Sequence, residues 1–272
     1  NAPEYFNTDN SWSPDGQWVA FFTVGDRKLK KASVVARNAR VIADVTGSGG
    51  NRQSGTWNSD NVILLGMDTG KPLYTVSADG GPLAPQTSLD TARGDRSHFR
   101  PSFLPDGKHF LFQIDAGNAA KDGIYVGSLD SQDVKPVLTG FLTTAQYIPG
   151  TRQILYVRQE ALWAQPFDTA SLQVAGKPVQ ILDAVAFFPN NASASGFSAA
   201  NSGVLIYRPP AAVDTDQPKQ LAWFDRTGKQ TQTIGKPDTY LEPRLSPDGR
   251  QIAVAKLTQG NFGIWLLDAA TG

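Results

Sequence analysis

Residues 11–23 read SWSPDGQWVAFFT, and residues 244–256 repeat the same phrase as RLSPDGRQIAVAK. A third copy, FLPDGKHFLFQI, stands at 103–114. Each holds a Pro-Asp-Gly triplet followed by a β-branched or aromatic run. Proline presets φ at the first corner, aspartate bonds its own backbone, and glycine accepts the left-handed conformation that closes a tight hairpin. The phrase therefore predicts one hairpin, built more than once.

Aligning on the apolar residue before the turn extends the count. The anchors are Trp12, Trp57, Phe103, Tyr147, Phe197 and Leu245, spaced 44 to 50 residues apart. That is close to the roughly 40 to 50 residues of a propeller blade. After each turn comes a run such as VILLGM (62–67) or QILYVR (153–158), then a third such as GIYVGSLD (123–130) or GIWLLDA (263–269). Five units add a fourth, for example KPVQIL (177–182). These runs are short and bounded by Gly, Pro, Asn and Asp, as strands are. The expected fold is all-β: a six-bladed β-propeller of four-stranded antiparallel blades. It occupies 1–272 as a single domain, with blades at approximately 10–47, 55–90, 99–140, 144–183, 196–235 and 243–272. The last unit lacks a fourth run. An open strand edge is a liability, so residues 2–6 are expected to supply the outer strand beside Ile264 to Leu267.

Composition narrows function. Lys+Arg and Asp+Glu are 25 each, so no net field favours nucleic acid or an anionic membrane, and no apolar run is long enough to insert. With no Cys, disulfides, thiolate zinc sites and thiol nucleophiles are excluded. Two histidines exclude a His-rich metal centre. No metal and no cofactor are expected, and no catalytic residue is assigned.

The pattern S-P-D-G-x-x-I-A followed by I-W-x-x-D resembles the WD40-like repeat of TolB-type propellers. It is clearest at SPDGQWVAFF and at SPDGRQIAVAK with GIWLLD. The order of segments, from GTWNSDNVILL through LDTARGDRSHFRPSFLPDGKHFLF to LAWFDRTGK, is similar to the extracytoplasmic region of large acidobacterial receptor-type Ser/Thr protein kinases. That resemblance implies a periplasmic or extracellular location. The chain has no HRD, DFG or Gly-rich kinase loop, so no kinase activity is carried over.

Loops at one face of such a fold usually carry its function. The densest is DTARGDRSHF (90–99), with Arg93, Asp95, Arg96 and His98, leading to Arg100. Its arginines suit bidentate binding of a carboxylate or phosphate. Alternatively, Arg and Asp pair with each other and pin the loop between blades. GSGG (47–50) lacks the Lys-Ser/Thr of a phosphate loop. Asp214 and Asp216 are too few for calcium. Phe187-Phe188 either plugs the channel or folds under a blade. The tryptophans, Trp163, Trp223 and Trp265 among them, are expected in the core.

The expected function is a non-catalytic binding propeller, a sensor or interaction part of a larger protein. It would take a protein partner or a small polar or anionic ligand at its funnel. The expected binding residues are Asn51, Arg52, Arg93, Asp95, Arg96, His98, Tyr240 and Glu242. The alternative is a propeller enzyme, hydrolase or lyase, with a site at the channel mouth. A propeller gating a peptidase would need a G-x-S-x-G elbow elsewhere, since none occurs here.

Overall fold

The structure is a computed structural model that describes residues 6–272 apart from 24, 37, 46–52, 189–193, 202–203, 208, 211–217, 225–228 and 259–260. Every regular element among them is a strand. The Pro-Asp-Gly turns form as expected. Gly16, Gly107 and Gly249 have φ of +68°, +67° and +73°, in the left-handed region that a Cβ disfavours. The amide of Gly16 bonds the Ser13 carbonyl at 2.9 Å, and Asp15 accepts the Gln17 amide at 3.0 Å. Asp106 and Asp248 accept from Lys108 and Arg250 in the same way, both at 3.0 Å. These aspartates build turns.

The first sheet runs Phe6–Trp12, Trp18–Thr23, Lys28–Ser33 and Ala39–Asp44, each strand antiparallel to the next. The second (Ser54–Trp57, Val62–Gly66, Leu73–Ser77, Ala84–Pro85) and third (Ser97–Phe103, His109–Asp115, Gly123–Ser128, Ser131–Thr139) repeat that order. The fourth has Ala145–Ile148, Gln153–Arg158 and Ala161–Asp168, with Gln173–Val174 and Val179–Leu182 both paired to the third strand. The last has Tyr240–Leu245, Gln251–Thr258 and Asn261–Asp268.

Between these two the expectation needs correcting. The segment expected as a fifth four-stranded blade forms two separate ladders, Phe197–Ala199 with Leu205–Tyr207 and Lys219–Phe224 with Gln230–Asp238. The described residues thus show five sheets of three or more strands rather than six. The physical reason lies in the joint. Leu205–Tyr207 has three residues and runs into Pro209-Pro210, while Pro218 precedes Lys219. Proline brings no N–H to a ladder. As for the segment expected to cover the last sheet, Phe6 opens the first strand opposite Thr23, and residues 2–5 lie outside the described residues.

Each apolar cluster joins neighbouring sheets, because a blade buries both faces only against its neighbours. Ala20, Phe22 and Leu29 of the first sheet meet Trp57, Ile63 and Leu65 of the second. Leu64 and Leu73 meet Phe110, Phe112 and Ile114 of the third. The circuit closes where Trp12 and Val19 meet Ala253 of the last sheet. Trp265 departs from the expected core role. It is 44% exposed, with the Lys256 ammonium 4.8 Å from its ring centre. Among the described residues no fourth strand covers that edge.

Close packing has one sharp consequence. A Cβ at Gly123 would stand 2.1 Å from the Leu138 carbonyl oxygen and 2.8 Å from the Thr139 Cα. Backbone cannot step aside as a side-chain tip can. Gly123→Ala is expected to cost about 2 kcal/mol by displacing the outer strand, measured as a lower urea midpoint.

Candidate functional site

The innermost strands face a central channel, and one residue of each lies at the same level. These are Ser11, Thr56, Ser102, Gln146, Ser198 and Arg244, paired across to Ala20, Leu64, Leu111, Leu155, Ile206 and Ala253. Side chains alternate along a strand. The neighbours Trp12, Trp57 and Phe103 therefore turn to the space between blades while this ring lines the axis. All six line one cavity of about 190 Å³, together with Asn10, Ser54, Arg100 and Thr144.

Several of these groups tie blade to blade. The Phe103 amide donates to Thr56 Oγ1 at 3.2 Å, and the Arg100 amide to Ser54 Oγ at 3.0 Å. Gln146 bonds both ways with the Ala199 backbone, at 2.6 and 3.0 Å. Arg244 Nη1 donates to the Phe197 carbonyl at 3.1 Å, and Trp12 Nε1 donates to the Arg244 carbonyl at 3.1 Å. Arg100 and Arg244 make further interactions besides these. Asn10 differs from the rest: it is 5% exposed, and neither its Nδ2 nor its Oδ1 has a hydrogen-bond partner.

Arg100 is held in a special way. Its strand bulges between Leu111 and Gln113 of the partner strand, so that Arg100 and Pro101 share the space opposite Phe112. Arg100 has φ of +51° and is 4% exposed. A left-handed arginine inside a strand costs energy, and bulges re-aim side chains beside sites. The last sheet has the matching irregularity between Leu241 and Arg244, where Glu242 and Pro243 fall. Of the described residues lining the cavity, the two that carry charge are Arg100 and Arg244, both cationic.

The loop expected to bind ligand does something else with its groups. The Asp95 carboxylate has no exposed surface and accepts two bonds from Arg93, through Nε and Nη2, each 2.6 Å. It lies 3.0 Å from His98 Nε2, and His98 Nδ1 lies 2.8 Å from Thr87 Oγ1. Thr87 Oγ1 in turn accepts the Leu73 amide at 2.9 Å. With a neutral ring, Nε2–H donates to Asp95 and the Thr87 hydroxyl donates to Nδ1. Burial alone would raise the Asp95 pKa, but bonds from His98, Arg93 and the Asp90 amide hold it well below the usual carboxylate range. The Arg93 guanidinium also lies 5.1 Å from the Tyr125 ring centre. Thr87, His98 and Asp95 match the order of a catalytic relay, yet His98 is wholly buried and Thr87 is 5% exposed. The arrangement fastens the second sheet to the third.

None of Arg93, Asp95, Arg96 and His98 lines the channel cavity. Arg96 is exposed, its amide on the Asp115 carbonyl at 2.7 Å and its guanidinium against Gly117. Tyr240 is buried, donates to the Lys236 carbonyl at 2.8 Å, and has its phenol pKa raised by burial and the Asp238 charge. Glu242 is on the innermost strand of the last sheet, two positions before Arg244. Asn51 and Arg52 lie outside the described residues, as do 47–50, Asp214 and Asp216. Phe187 packs against the cluster of Val185 and Phe197 rather than plugging the channel. Sequence reasoning missed Asn10 and Arg244 and read Arg100 only as the end of a loop. Counting back one residue from the turn-side anchor in each repeat would have picked out most of the ring.

No protein-family model and no curated protein matches the chain. Solved structures do match. A gluconolactonase from Xanthomonas campestris is 12% identical with a TM-score of 0.67, over 98% of this chain and 87% of that one. A TolB from Agrobacterium tumefaciens, described as putative, is 16% identical with a TM-score of 0.64, over 98% and 91%. Regucalcin from the same organism, described as a calcium-binding protein, is 14% identical with a TM-score of 0.63, over 93% and 83%. At such identities the likeness shows the fold, a β-propeller. It corrects the expectation of a non-catalytic binding module, since a gluconolactonase shares this architecture over nearly the whole chain.

Proposed function

We propose that the chain is a propeller hydrolase whose site is the polar ring in its central channel, acting on a small, hydrogen-bonding ester or lactone. The observation that carries this reading is the ring of polar inner-strand residues around one cavity, with Arg100 held beside it in a left-handed bulge. A left-handed residue other than glycine inside a strand costs energy, and such strain clusters at functional sites. The same reading takes the ladders at 197–238 as one blade, which makes six around the channel, and places the propeller outside the cytoplasm on its shared motif order.

Ester hydrolysis adds water to the carbonyl carbon, gathers negative charge on the carbonyl oxygen, and expels the alkoxide. Guanidinium groups fixed in advance near that oxygen stabilise the charge as it develops. Arg100, locked in its bulge, and Arg244, held by the Phe197 carbonyl, fit that role. The ring hydroxyls and Gln146 orient the substrate's own hydroxyls. The proton of the attacking water passes to solvent, and the leaving alkoxide takes one from it. The described lining residues are hydroxyls, amides and guanidiniums, a donor set that does not suit the calcium named for regucalcin. No step is routed through a metal.

The test is proton release in a pH-stat with glucono-1,5-lactone and simple aryl esters. The wild-type protein is expected to hydrolyse at least one of them above the buffer rate. Arg100→Gln is expected to lower kcat/KM by roughly 100-fold. Background rates on every substrate, or an Arg100→Gln variant as fast as wild type, would end the proposal.

A further inference from the structure

We infer that the cleft beside Arg158, on the loop face of the fourth sheet, is a binding site for a small aromatic carboxylate. It shares no lining residue with the channel cavity, so it stands whether or not the channel hydrolyses esters.

The cleft follows from short connections. In an antiparallel blade the link between the second and third strands and the crossing to the next blade leave at the same end. The fourth sheet makes its link with two residues, Gln159 and Glu160, where the second and third sheets use six and seven. The crossing into it, 140–144, has five residues, where the crossing into the third sheet, 86–96, has eleven. The face is therefore recessed there, over a cavity of about 290 Å³.

Three observations say what would fill it. First, a two-residue hairpin of this kind needs positive φ at both positions, which Asn-Gly supplies without strain. Here Gln159 and Glu160 take φ of +52° and +62°. Backbone strain gathers at ligand clamps and other functional sites, and the Glu160 carbonyl holds the turn in place by accepting the Val185 amide at 2.6 Å. Second, the walls are apolar: Phe141, Leu142, Val157 and Phe187 line the cleft. Third, the charge among the lining residues is a single cation, Arg158. Its guanidinium carbon lies 5.1 Å from the Phe141 ring centre, and Phe141 stacks on Tyr156 at 5.6 Å. That contact leaves the N–H donors available, since among the described residues they make no hydrogen bond or ion pair. Glu160, two positions on, does not line the cavity. A carboxylate on the guanidinium fork, with an aryl ring one or two carbons away against Phe187 and Leu142, meets the cation and the apolar wall together.

Ligand-observed NMR titration of the whole chain tests this with phenylacetate, and with acetate and benzyl alcohol as probes that lack the ring or the charge. Phenylacetate is expected to bind saturably at one site, more tightly than either control by roughly tenfold, and less tightly as salt rises. Arg158→Gln is expected to weaken phenylacetate by roughly fivefold or more and to leave benzyl alcohol where it was. Its melting temperature should not move, because Arg158 is exposed, and neither should any lactone hydrolysis. Leu142→Trp is the second variant: it fills the cleft with the charge still in place, and saturable phenylacetate binding should disappear. No saturable binding of phenylacetate, benzyl alcohol bound as tightly as phenylacetate, or affinity untouched in both variants overturns the inference.

Discussion

Replacing Asp95 with leucine is expected to destabilise the protein by roughly 3–5 kcal/mol, the cost of leaving a buried charge without its partner. Arg93 would lose both short bonds, and His98, wholly buried, would lose its acceptor. The damage would not stay local. The loop also joins the sheets through the Lys71 carbonyl, which accepts the His98 amide at 3.0 Å, and through Ser97 Oγ, which accepts the Gly70 amide at 2.9 Å. Asp95→Asn separates charge from shape. Because the folded state lowers the Asp95 pKa, the carboxylate contributes stability above its unfolded pKa of about 3.9 and loses it as pH falls below that value. Wild type should therefore lose stability steeply between about pH 5 and 2, and Asp95→Asn should start lower and fall less over the same range. Urea midpoints across pH decide it. Equal slopes in the two proteins would mean that Asp95 is not ionised in the native state.

That network shows how far a sequence can be read. The loop DTARGDRSHF is dense in groups that bind anions and equally dense in groups that bind one another. Arg93 and Asp95 are two residues apart, and only the fold shows that they turn to each other. Thr87, which completes the chain of bonds, precedes the loop and carries no signal of its own. The hairpins were legible because Pro-Asp-Gly acts within four residues, where local chemistry decides. The break at 197–238 was harder, since its strand runs look like the others and the prolines at 209, 210 and 218 act by withholding ladder bonds. The channel ring is a product of symmetry. Ser11, Thr56, Ser102, Gln146 and Arg244 are of four residue types and share only a place one step before the anchor, while Ser198 stands one step after its own. Trp265 shows the reverse: its place in the repeat is that of a core residue, but a core needs a neighbour on that side.

Trp12→Ala is expected to cost about 3–5 kcal/mol, as large-to-small changes at buried aromatics do. Its loss should be felt at both ends of the chain. Trp12 is 8% exposed, packs with Val19 and Ala253, and donates to the Arg244 carbonyl across 232 positions of sequence. It is a main tie between the first sheet and the last. In a closed ring of blades each sheet is supported on two sides; opening one joint leaves two sheets supported on one side only. Amide exchange should therefore quicken in Trp18–Thr23 and in Gln251–Thr258 together, while His109–Asp115, on the far side of the ring, keeps its protection. Trp12→Phe retains most of the buried area and gives up the hydrogen bond, so it should cost about 1 kcal/mol. Arg244 would then lose the bond on its carbonyl, and a fall in lactone hydrolysis in Trp12→Phe would tie ring closure to the channel site. Faster exchange confined to the first sheet, or a loss under about 1 kcal/mol in Trp12→Ala, would show that the joint is closed by other contacts.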